Sequence, residues 1–582
     1  MHLEALNVKR FRSCSDIAVK FRKDLTVLVG ENNGGKSNIV DAIRLLTLPL
    51  NGRRERYAED DDLRRGSADS SFTIEGRFCG LSDSLKGLLI SAVPDPTADL
   101  ANWGLRYQCG TVKKRGKVSL WAGRFDTAEP ERGSTDLVRH VFLPALRDAR
   151  QALGSGAPTR IAALLRNFLL DEEEADFLEH VRRAPAQHRV VTAVNMQIGD
   201  ALKDLTQGVR AQSASLDFTT EALSDVARDL RFKLGDAGID LEEIVCSGLG
   251  YANLLYIATV IVELAKARDA DLTLFLVEEP EAHLHPQLQM LVLDFLLLQA
   301  KRSAERPLVA GSPEGRIQIV VTTHSPNLTA WVAPERVVVV RSVREAGDNP
   351  ITRRTVVVPI AGLEIADTAL RKISRYIDVT RSALLFGDRA LLVEGIAEAL
   401  LLPPIAKMHV LRDDPAALQR FRGAVVVAID GIDFGPYVEV LLRSVNGASV
   451  ADRVVVMTDR DPQLAGNRAE RLEALADGFG ARPRLSVYSN AVTLEHELFG
   501  AGNEAVLREV FLELRPRSGP RWNDDIAALP ENARPGAFVA LLSAMEVRKG
   551  DFAQALAERI VSGHGFVVPA YMRDAIMRVS EP

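Results

Sequence analysis

A Gly-rich segment near the start of the chain has the spacing of a phosphate-binding loop. It reads Gly-x-x-x-x-Gly-Lys-Ser from Gly30, after an apolar run at 25–29 and before a helical apolar pattern. A strand that enters a helix through such a turn directs backbone N–H groups and the helix dipole at one point, which suits a polyphosphate. We expect Lys36 to reach the β- and γ-phosphates of ATP and the Ser37 hydroxyl to bind Mg²⁺. The predicted loop residues are Gly30, Asn33, Gly34, Gly35, Lys36 and Ser37.

Two later segments could supply the hydrolytic chemistry. The predicted strand at 271–277 ends in Glu278 and Glu279, and the predicted strand at 317–323 ends at His324. ATP hydrolysis needs a metal to neutralise phosphate charge and a positioned acceptor for the nucleophile. We expect Glu278 to help hold Mg²⁺, Glu279 to polarise the attacking water and His324 to contact the γ-phosphate. Adjacent acids can instead be solvated, and a lone histidine is often structural, but their order after the loop favours catalysis.

A second anion-binding helix start is predicted upstream of these acids, where Ser247, Gly248 and Gly250 open an apolar segment. One γ-phosphate rarely needs two helix N-termini. We therefore predict that these three residues cap an ATP held by a second copy of the chain. The alternative is an ordinary helix start capped by serine.

Beyond residue 390, carboxylates follow apolar segments that are predicted to be strands. Glu394 and Asp459 end two of these segments, and Glu398 and Asp461 follow shortly after them. The carboxyl ends of parallel strands meet at one sheet edge, where α/β sites form. Several acids at close range cannot all be ionised without counter-charge, and Mg²⁺ or Mn²⁺ prefers oxygen ligands. Two such ions could clamp the attacking and leaving oxygens of a phosphodiester.

The elements that must position these residues divide the chain into four predicted parts. Residues 1–134 are predicted to be β-rich, and residues 135–232 are predicted to be helical from about 137 onward. Residues 233–375 return to an α/β pattern, and residues 376–582 form a second α/β unit. The chain of 582 residues has room for several domains.

Composition restricts the class of protein. The net charge of −6 and the pI near 6.0 exclude a protein that coats nucleic acid through bulk charge, but leave a local basic groove open. No apolar run approaches the roughly 18 residues of a membrane span, and no signal-peptide pattern opens the chain. The four cysteines have no metal-binding spacing and are expected to be free thiols, so a cytoplasmic location is expected.

The motif order resembles the ABC-type ATPases of the SMC, RecF and OLD group. The resemblance lies in the phosphate loop, the Ser-Gly-x-Gly segment, Val-Glu-Glu-Pro-Glu-Ala-His-Leu-His-Pro and Thr-Thr-His-Ser-Pro. In that group two heads sandwich two ATPs. The segment here reads Ser-Gly-Leu-Gly-Tyr instead of the transporters' Ser-Gly-Gly-Gln, and no Q-loop is assigned. A transporter subunit would need a separate membrane chain.

The C-terminal pattern resembles a Toprim domain, the metal site shared by topoisomerases, primases and some nucleases. It consists of Glu-Gly-x-x-Glu, a strand ending at Asp430-Gly431, and Asp-x-Asp. A head followed by Toprim resembles the OLD-family endonucleases, which include nuclease subunits of phage-defence systems. The resemblance implies that Lys549 stabilises phosphate charge, although a solvated surface lysine is the alternative. The implied metal ligands are Glu394, Glu398, Asp459, Asp461 and Glu495, with Glu497 as a rival for the last.

The predicted fold class is α/β, with an ABC/SMC-like ATPase head, a helical insert and a Toprim parallel-sheet domain. The family resemblance implies that the insert helps to form a dimer, while packing of its apolar helical stripes against the ATPase core of the same chain is the alternative. The predicted protein is an ATP-hydrolysing, metal-dependent DNA endonuclease that forms a homodimer. A helicase or another defence protein is a further expected partner. The alternatives are a RecF/SMC-like DNA clamp without nuclease activity and an ATPase that regulates a partner. A topoisomerase would need a nucleophilic tyrosine, which nothing in the chain sets apart, and a primase usually brings a zinc module, which the cysteine spacing excludes.

Overall fold

The computed structural model describes most of the chain on both sides of the predicted helical insert. It covers residues 1–145 and 270–582, apart from 51, 53, 55, 68, 111–115, 125–127, 132, 283, 310, 346–352, 377–378, 461–467 and 564, together with the pieces 175–181, 226, 233–234 and 242–243. Most of the insert predicted at 135–232 therefore lies outside the described residues. The candidate cap residues Ser247, Gly248 and Gly250 and the predicted ligand Asp461 lie outside them too.

A seven-stranded sheet, a five-stranded sheet and a two-stranded antiparallel pair (residues 233–234 and 242–243) make up the strands described in the N-terminal half. Its strands are β1 (His2–Phe11), β2 (Cys14–Lys20), β3 (Leu25–Val29), β4 (Leu48–Pro49), β5 (Ser71–Cys79), β6 (Leu100–Gln108), β7 (Lys117–Ala122), β8 (Val138–Leu143), β9 (Lys233–Leu234), β10 (Glu242–Glu243), β11 (Leu272–Glu278), β12 (Arg316–Thr323), β13 (Val337–Arg344) and β14 (Arg353–Pro359). Its helices are α1 (Lys36–Leu46), α2 (Asp83–Leu88), α3 (Pro286–Ala304) and α4 (Pro326–Ala330).

The larger sheet of this half positions the phosphate loop. It has seven strands in the order β14-β13-β3-β12-β11-β8-β4, and all neighbours except β13 and β14 are parallel. Strands β3, β11 and β12 are almost wholly buried, as expected for parallel strands covered on both faces. Their carboxyl ends therefore deliver Gly30, Glu278 and His324 to one edge. A five-stranded antiparallel sheet, β2-β1-β5-β6-β7, accounts for the predicted β-rich character.

The predicted helical start after residue 135 is wrong for residues 138–143. These residues form β8, which pairs in parallel with β11 from Val138 opposite Leu272 to Leu143 opposite Val277. The run Val-Arg-His-Val-Phe-Leu is rich in β-branched and aromatic side chains, which favour strands. An apolar run of this length does not distinguish a strand from a buried helix by its period, so the sheet partner decides.

The C-terminal part contains a four-stranded parallel sheet, a short antiparallel pair of strands and many helices. Its strands are β15 (Arg389–Val393), β16 (Val425–Ala428), β17 (Ser444–Val445), β18 (Ala448–Ser449), β19 (Arg453–Thr458) and β20 (Leu485–Ser489). The helices from here to the C-terminus are α5 (Asp367–Tyr376), α6 (Val379–Ser382), α7 (Ile396–Ile405), α8 (Pro415–Gly423), α9 (Gly435–Leu442), α10 (Arg468–Gly478), α11 (Leu494–Gly500), α12 (Glu504–Leu514), α13 (Gly519–Trp522), α14 (Arg534–Ala544), α15 (Lys549–Val561) and α16 (Ala570–Ser580).

The four parallel strands β16-β15-β19-β20 separate two apolar cores. Leu391 and Val455 face a core built with the C-terminal helices. Leu392 and Val454 face a core that continues without a break into the N-terminal half, where it includes Val339. Because side chains alternate along a strand, one face of the C-terminal sheet packs against the N-terminal half, which contains the ATPase head, and the other face packs against the C-terminal helices. The head and the C-terminal part therefore share a core.

Two further expectations concern the whole chain. Among the described residues, no helix is both long and apolar enough to cross a membrane. Cys14, Cys79 and Cys109 carry free thiols, as predicted, while Cys246 lies outside the described residues.

Candidate ATP site and candidate metal centre

The glycines of the phosphate loop are required by close backbone contacts. A Cβ atom at Gly30 would lie 2.0 Å from the carbonyl oxygen of Val340 in β13, and one at Gly34 would lie 2.7 Å from the same atom. Gly35 has a φ of +108°, and a Cβ there would lie 2.2 Å from Thr355 Oγ1. The loop is therefore pressed onto β13 and β14, and larger residues would displace it.

A turn between β1 and β2 anchors the helix that follows the loop. Arg12 donates to Asn38 Oδ1 (3.1 Å) and Asp41 Oδ2 (2.9 Å), and its Nε donates to the buried Asp62 (2.9 Å). Asn38 in turn donates to Ser13 Oγ (2.7 Å). The first turns of α1 are thus fixed in direction, which keeps the loop N–H groups aimed at one point.

Lys36, His324 and Glu279 form a connected chain of polar groups. Lys36 Nζ lies 2.8 Å from the carbonyl oxygens of Gly30 and Glu31 and 3.2 Å from His324 Nδ1. His324 Nε2 lies 3.2 Å from Glu279 Oε1. Since the lysine donates to Nδ1, the histidine proton belongs on Nε2, from which it can be donated to Glu279. The three predicted catalytic and phosphate-contacting residues therefore lie together.

Burial sets the charge states of Lys36 and His324. It lowers the pKa of Lys36 to about 8, against the opposing effect of Glu279 and other nearby acids. Burial and the charge of Lys36 lower the pKa of His324, so its imidazole is neutral at pH 7. Glu279 has a φ of +45°. Such strained backbone occurs often at active sites.

Glu278 and Glu281 occupy the inner side of the same edge. Burial raises the pKa of Glu278, and a hydrogen bond from Ser37 opposes the shift, so the two predicted Mg²⁺ ligands of the ATP site are adjacent. Glu281 accepts from Thr323 Oγ1 (2.7 Å) and from the backbone N–H of His324 (2.8 Å). Sequence reasoning missed this positioning role, although Glu281 follows Glu279 by only two residues. Asn33 is exposed in the loop with a φ of +63°.

Glu394 is the most heavily bonded acid of the second site. Its Oε1 accepts from the backbone N–H of Asp459 (2.8 Å), from the Thr458 hydroxyl and from Arg468. Its backbone carbonyl accepts from Gly431 N (3.1 Å). A Cβ at Gly431 would have open space, so crowding does not explain that glycine. The carboxylate of Glu394 thus joins the ends of β15 and β19, while its backbone carbonyl reaches the segment after β16.

Glu398 and Asp459 carry poorly compensated negative charge. Burial, together with the charges of the nearby Asp459 and Glu394, raises the pKa of Glu398 to about 7 against the opposing effect of Lys549. Burial likewise raises the pKa of Asp459 to about 6, with contributions from Glu394 and Glu495, while Asn490 and Lys549 oppose the shift. Four of the five predicted carboxylate ligands therefore act on one another electrostatically.

Lys549 and Glu495 face each other across the site. Lys549 Nζ lies 3.2 Å from Glu495 Oε1, and only 5% of the Glu495 side chain is exposed. Desolvation lowers the pKa of Lys549, but Glu495, Asp459 and Glu398 together outweigh it, so the net shift is upward. The rival Glu497 instead accepts from the backbone N–H of Ala491 (3.1 Å). Glu495 is therefore the carboxylate that faces the other acids.

The donor set fits a hard divalent cation in chemistry, since it consists of carboxylate oxygens, and two of the carboxyl groups, those of Glu398 and Asp459, have raised pKa values. The described geometry supplies positive charge from the protein instead, through Arg468 on Glu394 and Lys549 on Glu495. Within the described part of the chain, which omits Asp461, no three His, Cys, Asp or Glu side chains are arranged to hold a metal ion. An ion would therefore have to compete with Arg468 for Glu394.

Three neighbours of this site escaped sequence reasoning. The buried Asn490 donates to Asp459 Oδ1 and accepts from the Arg460 backbone (3.3 Å). Thr458 and Arg468 contact Glu394. Asn490 directly follows β20, so the rule that strand ends meet at one edge could have identified it. Arg468 opens a helix and has no comparable pattern in the sequence.

Comparison with known proteins supports both halves of this description. The family model of the AAA ATPase domain matches residues 1–113 and 196–329. The Old nuclease of Escherichia phage P2 is 24% identical over 444 residues, which is 70% of this chain and 70% of the phage protein. The OLD nuclease of Thermus scotoductus is 25% identical over 425 residues, or 68% of this chain and 72% of that protein. The expected resemblance to the OLD family is confirmed.

One solved structure that is similar to part of this chain also comes from an OLD protein. The C-terminal region of the Burkholderia pseudomallei OLD protein is 26% identical and covers 34% of this chain and 98% of that structure, with a TM-score of 0.24. The ATPase match contains the phosphate loop, Glu278, Glu279 and His324, and ends before Glu394. The chain is thus related to proteins that are named OLD nucleases, and its first half carries an ATPase domain.

Proposed function

We propose that this chain is an ATP-hydrolysing, divalent-metal-dependent DNA endonuclease. The observation that carries the proposal is the excess of negative charge at one sheet edge, where among the described residues four acids, Glu394, Glu398, Asp459 and Glu495, lie near two cations, Lys549 and Arg468. Two of these acids have a raised pKa because burial and their neighbours disfavour ionisation. A cluster of this kind costs stability, so a cation-dependent function is its most economical explanation.

In the ATP site, the chain's own residues have separate roles. The backbone of the loop from Gly30 to Ser37 binds the phosphates, and Lys36 adds positive charge near the γ-phosphate. Glu279 accepts a hydrogen bond from the attacking water. Neutral His324 donates its Nε2 proton to Glu279 in the described geometry and would redirect this proton to the γ-phosphate when ATP is bound. Glu278 and Ser37 are the proposed ligands of the Mg²⁺ that accompanies ATP, and Ser247, Gly248 and Gly250 are proposed to cap ATP from a second protomer.

In the carboxylate site, the residues that would hold Mg²⁺ or Mn²⁺ are Glu394, Glu398, Asp459, Asp461 and Glu495. Two bound ions would supply Lewis acidity to the attacking and leaving oxygens of a phosphodiester. Asn490 fixes the rotamer of Asp459 and Thr458 fixes that of Glu394. Lys549, which is 66% exposed, can turn toward a DNA phosphate and balance its charge.

The assembly is proposed to be a homodimer, in which the segment at 135–232 contributes to the contact between copies. The proposed division is an ATPase part at 1–134 and 233–375 and a Toprim nuclease part at 376–582. DNA is the proposed substrate, in phage defence or DNA repair, with a helicase or another defence protein as a further partner. The relatives named OLD nucleases support a nuclease of this type.

A second candidate is a RecF/SMC-like DNA clamp without nuclease activity. It is favoured by one observation, which is that Arg468 and Lys549 already neutralise Glu394 and Glu495. In a clamp, these pairs would be permanent and the acids would stabilise the domain only.

Plasmid cleavage separates the two candidates. Wild-type protein would be incubated with supercoiled DNA while Mg²⁺, Mn²⁺ and ATP are varied independently, beside Asp459→Ala and the matched control Asp430→Asn. Asp430 follows the neighbouring strand β16 but is exposed and pairs with Arg381. We expect cutting by wild type and by the control, and none by Asp459→Ala. Absence of cutting under every metal would favour the clamp, whereas equal cutting by Asp459→Ala would refute the proposed role of Asp459 in cleavage.

A further inference from the structure

The phosphate loop rests on one strand that also contacts the C-terminal part. The carbonyl of Val340 touches the loop so closely that only glycine fits at Gly30 and Gly34. Strand β13, which carries Val340, pairs with β3 immediately before the loop, from Val337 opposite Val27 to Val339 opposite Val29. A shift of the loop therefore has to move β13, because close-packed backbone does not deform freely.

The next residue on that strand, Arg341, crosses to the C-terminal part. Its Nη1 and Nη2 bind Asp452 in a two-pronged ion pair, at 3.2 Å to Oδ1 and 2.8 Å to Oδ2. Nη1 also donates to the carbonyl of Ser449 at 2.7 Å. Only 6% of the Arg341 side chain is exposed, compared with 59% of Asp452. Paired guanidinium–carboxylate geometry of this kind fixes orientation as well as distance.

Asp452 directly precedes β19, the strand that ends at the carboxylate site. The backbone N–H of Asp452 donates to the carbonyl of Asp388 (2.8 Å), and Asp388 directly precedes the adjacent strand β15. The two strands pair in parallel and carry Asp459 and Glu394 at their far ends. Arg341 therefore binds the amino end of β19 through Asp452, and Asp452 is hydrogen-bonded to the amino end of β15 through Asp388. Each strand is a stiff element of about 17–20 Å.

We propose that Arg341 is a positioning residue that transmits nucleotide binding from the phosphate loop to the acidic site, through Asp452 and strand β19. The path is loop, Val340 carbonyl, Arg341, Asp452, β19 and Asp459. This inference rests on the proposed function for the meaning of the far end, but the mechanical link can be measured without DNA cleavage. Coupling of this type is reciprocal, so ions at the acidic site would also change ATP affinity.

If Arg341 and Asp452 only stabilise the fold, a well-folded Asp452→Asn variant should keep the full response of the acidic site to nucleotide. An ion pair with one exposed partner contributes little to stability, so Asp452→Asn, which keeps an oxygen for Arg341, is expected to fold normally. The matched control is Asp24→Asn. Asp24 pairs with Arg336 at 2.7 Å, close to the loop strand β3, but that pair does not reach the C-terminal part.

The test is hydrogen–deuterium exchange of the full chain with and without a non-hydrolysable ATP analogue, together with analogue affinity. In wild type and Asp24→Asn, the analogue should change exchange in peptides spanning 389–394 and 453–459. In Asp452→Asn this change should fall at least roughly fivefold while analogue affinity stays near wild type. Arg341→Lys, which keeps the charge but loses the paired geometry, should give an intermediate loss.

The inference is overturned if Asp452→Asn retains the full nucleotide-dependent change, or if wild type shows none in these peptides. These outcomes do not depend on DNA cutting. If wild type cuts no DNA but the exchange change is present and needs Asp452, the nuclease proposal fails and the mechanical link stands. If wild type cuts DNA and the exchange change is insensitive to Asp452, the nuclease proposal stands and the mechanical link fails.

Discussion

The two candidate sites lie at the carboxyl ends of parallel strands but balance their charges differently. At the phosphate loop, Lys36 is bound by two backbone carbonyls and leads through His324 to Glu279. Every member of that chain has a partner of complementary character. At the second site four acids face Lys549 and Arg468, and two of the acids have a strongly raised pKa.

The difference shows how each site acquires its ligand. The first is shaped by backbone, since glycines and the Val340 carbonyl define the loop before any side chain contributes. The second is shaped by side chains whose charges oppose one another, so under the proposed function its working geometry would depend on a bound cation. A backbone site is sensitive to residue size, whereas a side-chain site is sensitive to pH, metal and neighbouring rotamers.

The largest separation of the two activities is expected from Glu394→Ala. Glu394 joins three strand ends and is a proposed metal ligand, so its loss should lower DNA cleavage by about 1,000-fold or more. ATP hydrolysis should continue, because no described contact joins Glu394 directly to the loop. Cleavage and ATP turnover would be measured on the same preparation. Loss of both activities in a folded variant would contradict the separation of the two sites.

The reciprocal change is Lys36→Ala. Removing the buried ammonium should weaken ATP binding by about 100-fold or more, because charged hydrogen bonds of this kind contribute up to about 3 kcal/mol. Lys9→Ala is the control, since Lys9 is exposed and pairs with Asp16 on the surface. Binding of a fluorescent ATP analogue gives the affinity. A normal affinity for Lys36→Ala would refute the assignment of the loop.

A smaller effect is expected from Asn490→Ala. Asn490 touches Asp459 but is not a proposed ligand, so its loss should raise the metal concentration needed for half-maximal cleavage by about 10-fold. At saturating metal, much of the rate should return. Titration with Mn²⁺ measures the midpoint. If saturating metal restores nothing, Asn490 has a role other than positioning Asp459.

The smallest effect concerns stability. Because burial raises the pKa of Glu398 from 4.5 to about 7, the folded protein retains a proton that the unfolded chain releases between these values. The contribution of this group is therefore most favourable below pH 4.5 and falls as the pH rises toward 7. Without metal, Glu398→Gln should unfold about 2 °C above wild type at pH 8, with a smaller gap at pH 5. Equal gaps at both pH values would show that this carboxylate is not strained.

The sequence predicted what local spacing controls. The loop glycines, the acids after β11 and the acids after β15 and β19 all follow from strand–turn–helix patterns, and the structure brings the described ones together. It could not predict β8, because a six-residue apolar run becomes a strand only when β11 offers its edge. Arg468 and Arg341 also escaped, since each meets its partner through tertiary packing and not through a recurrent spacing.

The apolar core shared by the head and the C-terminal sheet has a practical consequence for dissecting the protein. A fragment that stops near residue 375 would leave Val339, Ile360 and their neighbours without Leu392, Val440 and Val454. Such a fragment would expose a large apolar surface and tend to aggregate. Loss of ATP binding in such a fragment would reflect the missing part of the core and not the phosphate loop itself. Point substitutions in the intact chain are therefore the sounder way to study the two sites.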